Sequence, residues 1–200
     1  MKLFFVVMVM MPLFGLAQQA AEPRFVIRGQ ITGVSDSSVV YVSDASNPMD
    51  TLASGMVAGG AFSLTGHVSE PNIYFVNFVS ARKKIPVFIG NDKMSMSGSA
   101  DDLNGIKLTG SPSHDDFMEF QSTFNPYFSR LNVVMGMLRS PDGANKQDSL
   151  NRAFHSLTDT VFAVLDGFIQ KRSNSYVSAF ALIVVNQLTE DVAGQERQAA

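Results

Sequence analysis

At Gly110-Ser111 the hydrophobic period of this 200-residue chain changes, and that switch limits the architecture more than any other feature. Before it, short apolar runs alternate with polar residues and are cut at short intervals by Gly, Asn, Asp, Ser or Pro. After it, apolar residues recur at spacings of three and four. The first regime predicts strands at Phe25–Ile31, Val39–Val42, Thr51–Val57, Ala61–Val68, Ile73–Val79, Ile85–Ile89, Lys93–Gly98 and Ile106–Gly110. Strands this short, joined mostly by tight turns, imply an antiparallel sandwich or barrel. The second regime predicts about three helices. The fold class is therefore α+β: an N-terminal antiparallel β-sandwich or barrel over 25–110, then an α-helical region over 111–189 and a frayed polar tail over 190–200.

The helical region opens with Ser111 as N-cap and Pro112 at the first helical position, with Ser113 and Asp116 as an alternative capping box. Phe117, Phe120, Phe124, Phe128, Leu131 and Met135 then share one face, and Pro126 is predicted to kink or split the helix. Pro141-Asp142-Gly143 marks a turn. A second helix is predicted from Lys146 to Lys171, with Leu150, Phe154, Leu157, Val161, Leu165 and Phe168 on one face, and a third from Ser175 to about Leu188. The Phe stripe reads first as packing between helices and sheet. Phe117, Phe120, Phe124, Phe128, Phe154 and Phe168 are also the candidate interaction surface, because stripes without cover would seek a partner.

The N-terminus carries an export signal in its pattern. Lys2 supplies a positive start, and Leu3 to Leu16 is apolar apart from Pro12 and Gly15. About 14 residues suit a signal-peptide core and fall short of the ~20 that a transmembrane helix needs. Gly15-Leu16-Ala17 places small residues before a cut after Ala17, so 1–17 is predicted to be a signal peptide and 18–24 a flexible lead-in. The expected compartment is the periplasm or outer cell envelope. No later stretch is long enough to span a bilayer, and the absence of cysteine removes a lipidated anchor.

Composition narrows the chemistry. The chain is 46% hydrophobic and 16% charged, with 16 Phe and no Trp, which suits a packed core rather than disorder. With no cysteine there is no disulfide, thiolate metal site or redox pair. The formal net charge is −3, more negative once Lys2 is cut away, so nucleic acid has no electrostatic footprint here. Arg82-Lys83-Lys84 reads as a solvated loop. His67, His114 and His155 form no metal-ligand spacing: His155 and Asp159 read as a surface helix pair, and His114 as a solvated residue in an acidic first turn. Asp101-Asp102 reads as a turn and Asp115-Asp116 as complementing a helix N-terminus. No nucleophile elbow or phosphate-binding loop is present, and no catalytic residue, metal or cofactor is expected.

One ordered series of residues carries a resemblance. Phe25-x-Ile27-x-Gly29-x-Ile31 is followed by Val40-Tyr41-Val42, by Gly60-x-Phe62-x-Leu64-x-Gly66-x-Val68 and by Tyr74-x-Val76 after Pro71. Phe88-Ile89-x-Asn91 then leads to Met94-x-Met96-x-Gly98 and to Leu108-x-Gly110-Ser111. The series resembles domain of unknown function 4369 over about Phe25 to Phe120. That domain forms the N-terminal part of many Bacteroidetes thioredoxin-like thiol-disulfide oxidoreductases of the TlpA/ResA type. The stretch Ser173 to Ser178 resembles the linker that precedes their thioredoxin domain. The resemblance implies Gly29, Gly60, Phe62, Gly66 and Gly110 as turn and core determinants. This chain has no W-C-x-x-C motif, so no catalytic residue carries over. The expected function is a non-catalytic exported module that positions or docks a thioredoxin-like domain, in cis or in trans, or its protein clients. A homo-oligomer is expected where the helices have no other cover. The alternative is a small-ligand or glycan-binding β-sandwich, against which the lack of Trp counts.

Overall fold

The structure is a computed structural model and describes residues 23–199. The predicted signal peptide at 1–17, and the lead-in up to residue 22, lie outside the described residues. Among these, eight strands precede three helices. The strands are β1 (Phe25–Thr32), β2 (Val39–Asp44), β3 (Thr51–Met56), β4 (Ala61–Gly66), β5 (Asn72–Phe78), β6 (Lys83–Ile89), β7 (Lys93–Ser99) and β8 (Asp102–Thr109). The helices are α1 (Pro112–Leu138), α2 (Gln147–Lys171) and α3 (Tyr176–Ala199), with a short 3-10 turn at Pro141–Lys146. The α+β class and the order of sheet before helix are as the periodicity predicts.

The strands form two four-stranded sheets, in orders β4-β1-β7-β8 and β3-β2-β5-β6. Alternation decides which residues face inward. Phe25, Ile27 and Ile31 of β1, Phe62 and Leu64 of β4 and Met94 and Met96 of β7 meet Val40 and Val42 of β2, Tyr74, Val76 and Phe78 of β5 and Ile85, Val87 and Ile89 of β6 in one buried cluster. Phe62 and Phe78 contact edge to face across the two sheets, with ring centroids 6.1 Å apart. The β1–β4 pair shows what the resemblance positions do. Gly29 is the register partner of Phe62, and Gly66 of Phe25. A Cβ on Gly29 would collide with the Phe62 ring, and one on Gly66 with the Phe25 ring. Each ring lies over the glycine opposite it, which restores the contact a missing side chain gives up.

Four expectations need correction. β1 pairs β7 in parallel, not antiparallel. A parallel pair needs a crossover connection, and here the whole second sheet lies between β1 and β7 in sequence. β8 starts at Asp102 rather than Ile106, so Asn104-Gly105 falls within a strand. Of the two outcomes expected at Pro126, a kink or a split, the split does not occur: α1 runs unbroken through it. Proline in a helix interior removes one hydrogen bond and costs about 3 kcal/mol, but Phe120 and Phe124 before it and Leu131 after it are all buried on one packed face. Finally, α3 continues to Ala199, past Leu188 and through the expected tail, because Thr189 to Ala199 contains no proline.

Candidate functional site

The six phenylalanines proposed as an interaction surface are part of a second core. Phe117, Phe120, Phe124, Phe154 and Phe168 are buried, and Phe128 is half-buried. Phe124 stacks on Phe120 with centroids 4.7 Å apart and meets Phe168 edge-on at 5.8 Å. Leu131, Val161, Leu165, Val177, Ala181 and Val185 complete the cluster. The three helices cover one another's stripes, so these six residues are not a free docking face. The reading of the stripe as packing is the one the structure bears out.

The two cores meet at β6. Ile85, Val87 and Ile89 point into the sandwich, while Phe88 points outward and belongs to the helical cluster. Its ring lies 5.8 Å from Phe117 of α1 and 6.1 Å from Phe180 of α3, and those two rings are 6.1 Å apart. Ile73, the register partner of Phe88 on β5, packs into the same cluster.

His114 is the residue that sequence reasoning placed wrongly. It is buried, not solvated, and its Nδ1 accepts the backbone N–H of Phe88 at 3.3 Å. The first turn of α1 lies along the outer edge of β6, where an N–H would otherwise have no partner. Accepting that bond requires an unprotonated Nδ1. Burial pushes the imidazole below the ordinary histidine range, and Asp115 opposes it. Ser111 fixes the turn that delivers His114. Its hydroxyl accepts the His114 N–H at 3.3 Å as an N-cap and donates to Asp92 Oδ2 at 2.7 Å. Ser111→Ala is expected to cost about 1 kcal/mol, read as a lowered urea midpoint with an unchanged slope.

A second clasp holds the same end of the bundle, one turn further along α1. Arg172, just after α2, donates from Nε to Asp116 at 3.0 Å and from Nη2 to Glu119, and its guanidinium lies 4.8 Å over the Phe168 ring. Asp116 therefore serves α1–α2 packing. Asp102 accepts the Gly105 N–H within its own strand at 3.2 Å. His67 donates from Nδ1 to the Pro23 carbonyl at 2.8 Å. Among the described residues no group of three or more His, Cys, Asp or Glu could hold a metal ion. No helix there is long and apolar enough to cross a membrane. Tyr74 lies in the sandwich core, and Tyr41 is half-buried on the outer face of its sheet.

α3 carries the feature that the helix patterns alone did not reveal. From Tyr176 to Val185 the only polar residue is Ser178, and it is buried, donating to the Arg172 carbonyl at 2.7 Å. Val177, Ala181 and Val185 line the inner face. Tyr176, Leu182 and Ile183 face outward and are 57%, 45% and 57% exposed. A helix that is apolar all round is ordinarily covered all round.

The fold and these sites define an α+β module: a two-sheet sandwich with a three-helix bundle seated on the outer face of one sheet. The family model of a domain of unknown function (DUF4369) matches residues 25–117, the sandwich together with the first turns of α1. No curated protein and no solved structure matches the chain.

Proposed function

We propose that this chain is a non-catalytic, exported docking module, whose sandwich and bundle together present a surface to a thioredoxin-like domain or to that domain's protein clients. The observation that carries the reading is the outer face of α3. A soluble helix keeps an apolar stripe for its own core and polar residues for water. α3 has the stripe and then repeats apolar chemistry at Tyr176, Leu182 and Ile183 on the opposite side. Aromatic and aliphatic residues grouped this way favour a protein partner. The joint at Phe88 and His114 supports the reading, because it fixes the bundle to the sandwich so that α3 is held in one orientation. The lack of any cysteine leaves thiol chemistry to a partner.

The test is a calorimetric titration of the full chain with a separately produced thioredoxin-like domain of the TlpA/ResA type. A saturable complex is expected, with Leu182→Asp and Ile183→Asp each weakening it by about ten-fold or more. An insulin-reduction assay on the chain alone is expected to be blank. No complex with the unaltered chain, or a complex indifferent to both substitutions, overturns the assignment of α3. Turnover by the chain alone overturns the non-catalytic reading.

A further inference from the structure

A second unpartnered face lies on the outer side of the β3-β2-β5-β6 sheet, away from the helices. The bundle covers only the end of this face that holds Ile73 and Phe88. At the other end two rows run across the strands. Met56 pairs with Val39, whose carbonyl accepts the Val79 N–H at 3.2 Å. These three side chains are 65%, 40% and 51% exposed. Beside them Tyr41 pairs with Asn77, and Asn77 with Lys84. The β5–β6 turn adds Arg82 and Lys83. The expected solvated loop is thus a turn and the start of a strand, and its charges are placed. Lys84 Nζ sits 4.0 Å over the Phe75 ring, and Lys83 Nζ donates to the Ala100 carbonyl at 2.6 Å.

Arg82 is different. Its φ is +52°, a left-handed conformation that Gly or Asn adopts at lower cost. Its guanidinium has no partner among the described residues. Tyr41, Asn77, Val79 and the three cations line an open cleft of about 330 Å³ with no carboxylate in it. A chain of net charge −3 therefore concentrates positive charge beside exposed apolar residues, at a strained turn.

From this juxtaposition we infer that the Arg82–Lys84 corner docks an acidic, apolar-bearing segment of another protein, with carboxylates on Arg82 and Lys84 and apolar side chains along Met56, Val39 and Val79. Charge complementarity names the acidic component. The apolar row favours a polypeptide over a carbohydrate or nucleic-acid polyanion, which would leave that row uncovered. This surface is independent of α3, and its failure leaves the α3 assignment standing.

The probe is a short fluorescein-labelled peptide of alternating Glu and Val, with the Lys and Val peptide as control. Anisotropy is read against the full chain at low and moderate salt. The Glu peptide binds and the Lys peptide does not. R82E with K84E weakens binding about ten-fold, and added salt weakens it further. Val39→Ser with Met56→Ser weakens it at unchanged salt dependence, and L182D leaves it unaltered. No binding by the unaltered chain, or binding unmoved by R82E with K84E, overturns the inference. So does heparin binding that ignores the Val39 and Met56 changes, which would make the corner a simple polyanion site. A concentration-dependent dimer abolished by R82E with K84E also overturns it, by assigning the corner to a second copy of the chain.

Discussion

Phe124→Ala is expected to lower the unfolding free energy by about 3–5 kcal/mol, the cost of deleting a buried aromatic ring that its surroundings cannot replace. Phe124 is fully buried. It stacks on Phe120 and Phe128, with centroids 4.7 and 5.8 Å away, and receives Phe168 edge-on from α2. The truncation therefore removes a ring that touches three others. Small domains are stable by only ~5–15 kcal/mol, so a loss of this size takes a large share of the total. It also has a location. Phe124 belongs to the helical cluster and not to the sandwich cluster, so helical circular dichroism should fall at lower urea than the signal from the sheets. Phe128→Ala, at a half-buried position on the same face, should cost distinctly less. A Phe124→Ala loss below about 1 kcal/mol, near what ordinary surface changes produce, would mean that the helices do not pack around this ring.

Most of the fold is legible where one face of an element is buried and the other is wet. β4 shows this: Phe62, Leu64 and Gly66 are buried and Ala61, Ser63 and Thr65 are exposed, so period two survives intact. α2 shows it at period 3.6, with Phe154, Val161, Leu165 and Phe168 buried. Legibility fails where both faces are covered. Val87-Phe88-Ile89 is an unbroken apolar run, the pattern of a strand buried on two sides, and it marks the place where the bundle sits. The same signal recurs in α3 from Tyr176 to Val185, with the difference that one side is left open. His114 could not be read correctly without that context. Between Ser113 and Asp115 its neighbours look solvated, and only the seating of α1 on the β6 edge brings it against Phe88. The parallel β1–β7 pair was hidden for a related reason: strand pairing across so long a separation leaves no local mark in either strand. Arg82 was legible as charge but not as strain, since a positive φ at Arg is set by the turn between Val79 and Lys83.

The joint between the two cores should weaken in acid, and His114 should be the cause. Its Nδ1 can accept the Phe88 N–H only while unprotonated. Burial against Phe88 and Phe117 opposes the charged ring, and Asp115 offsets this only in part, so the folded-state value lies below the ordinary one. An unfolded chain takes up this proton near the ordinary value of about 6.5. In the range below that, the unfolded state binds more protons than the folded one, and stability falls as pH falls. The contribution is therefore complete above about pH 6.5 and is lost as pH descends through the folded-state value. His114→Asn keeps an acceptor close to the Nδ1 position and cannot titrate, so its urea midpoint should drop less than that of the unaltered chain between about pH 7.5 and about pH 5. His114→Leu removes the acceptor altogether and leaves the Phe88 N–H buried and unpaired, at a cost of about 1–3 kcal/mol at neutral pH. Taken together, the variants separate packing from protonation. If Asn and Leu prove equally destabilised at neutral pH, the bond to Phe88 contributes nothing. If all three chains lose stability in parallel toward acid, the titrating group lies elsewhere and the seating of α1 on β6 rests on its aromatic contacts alone.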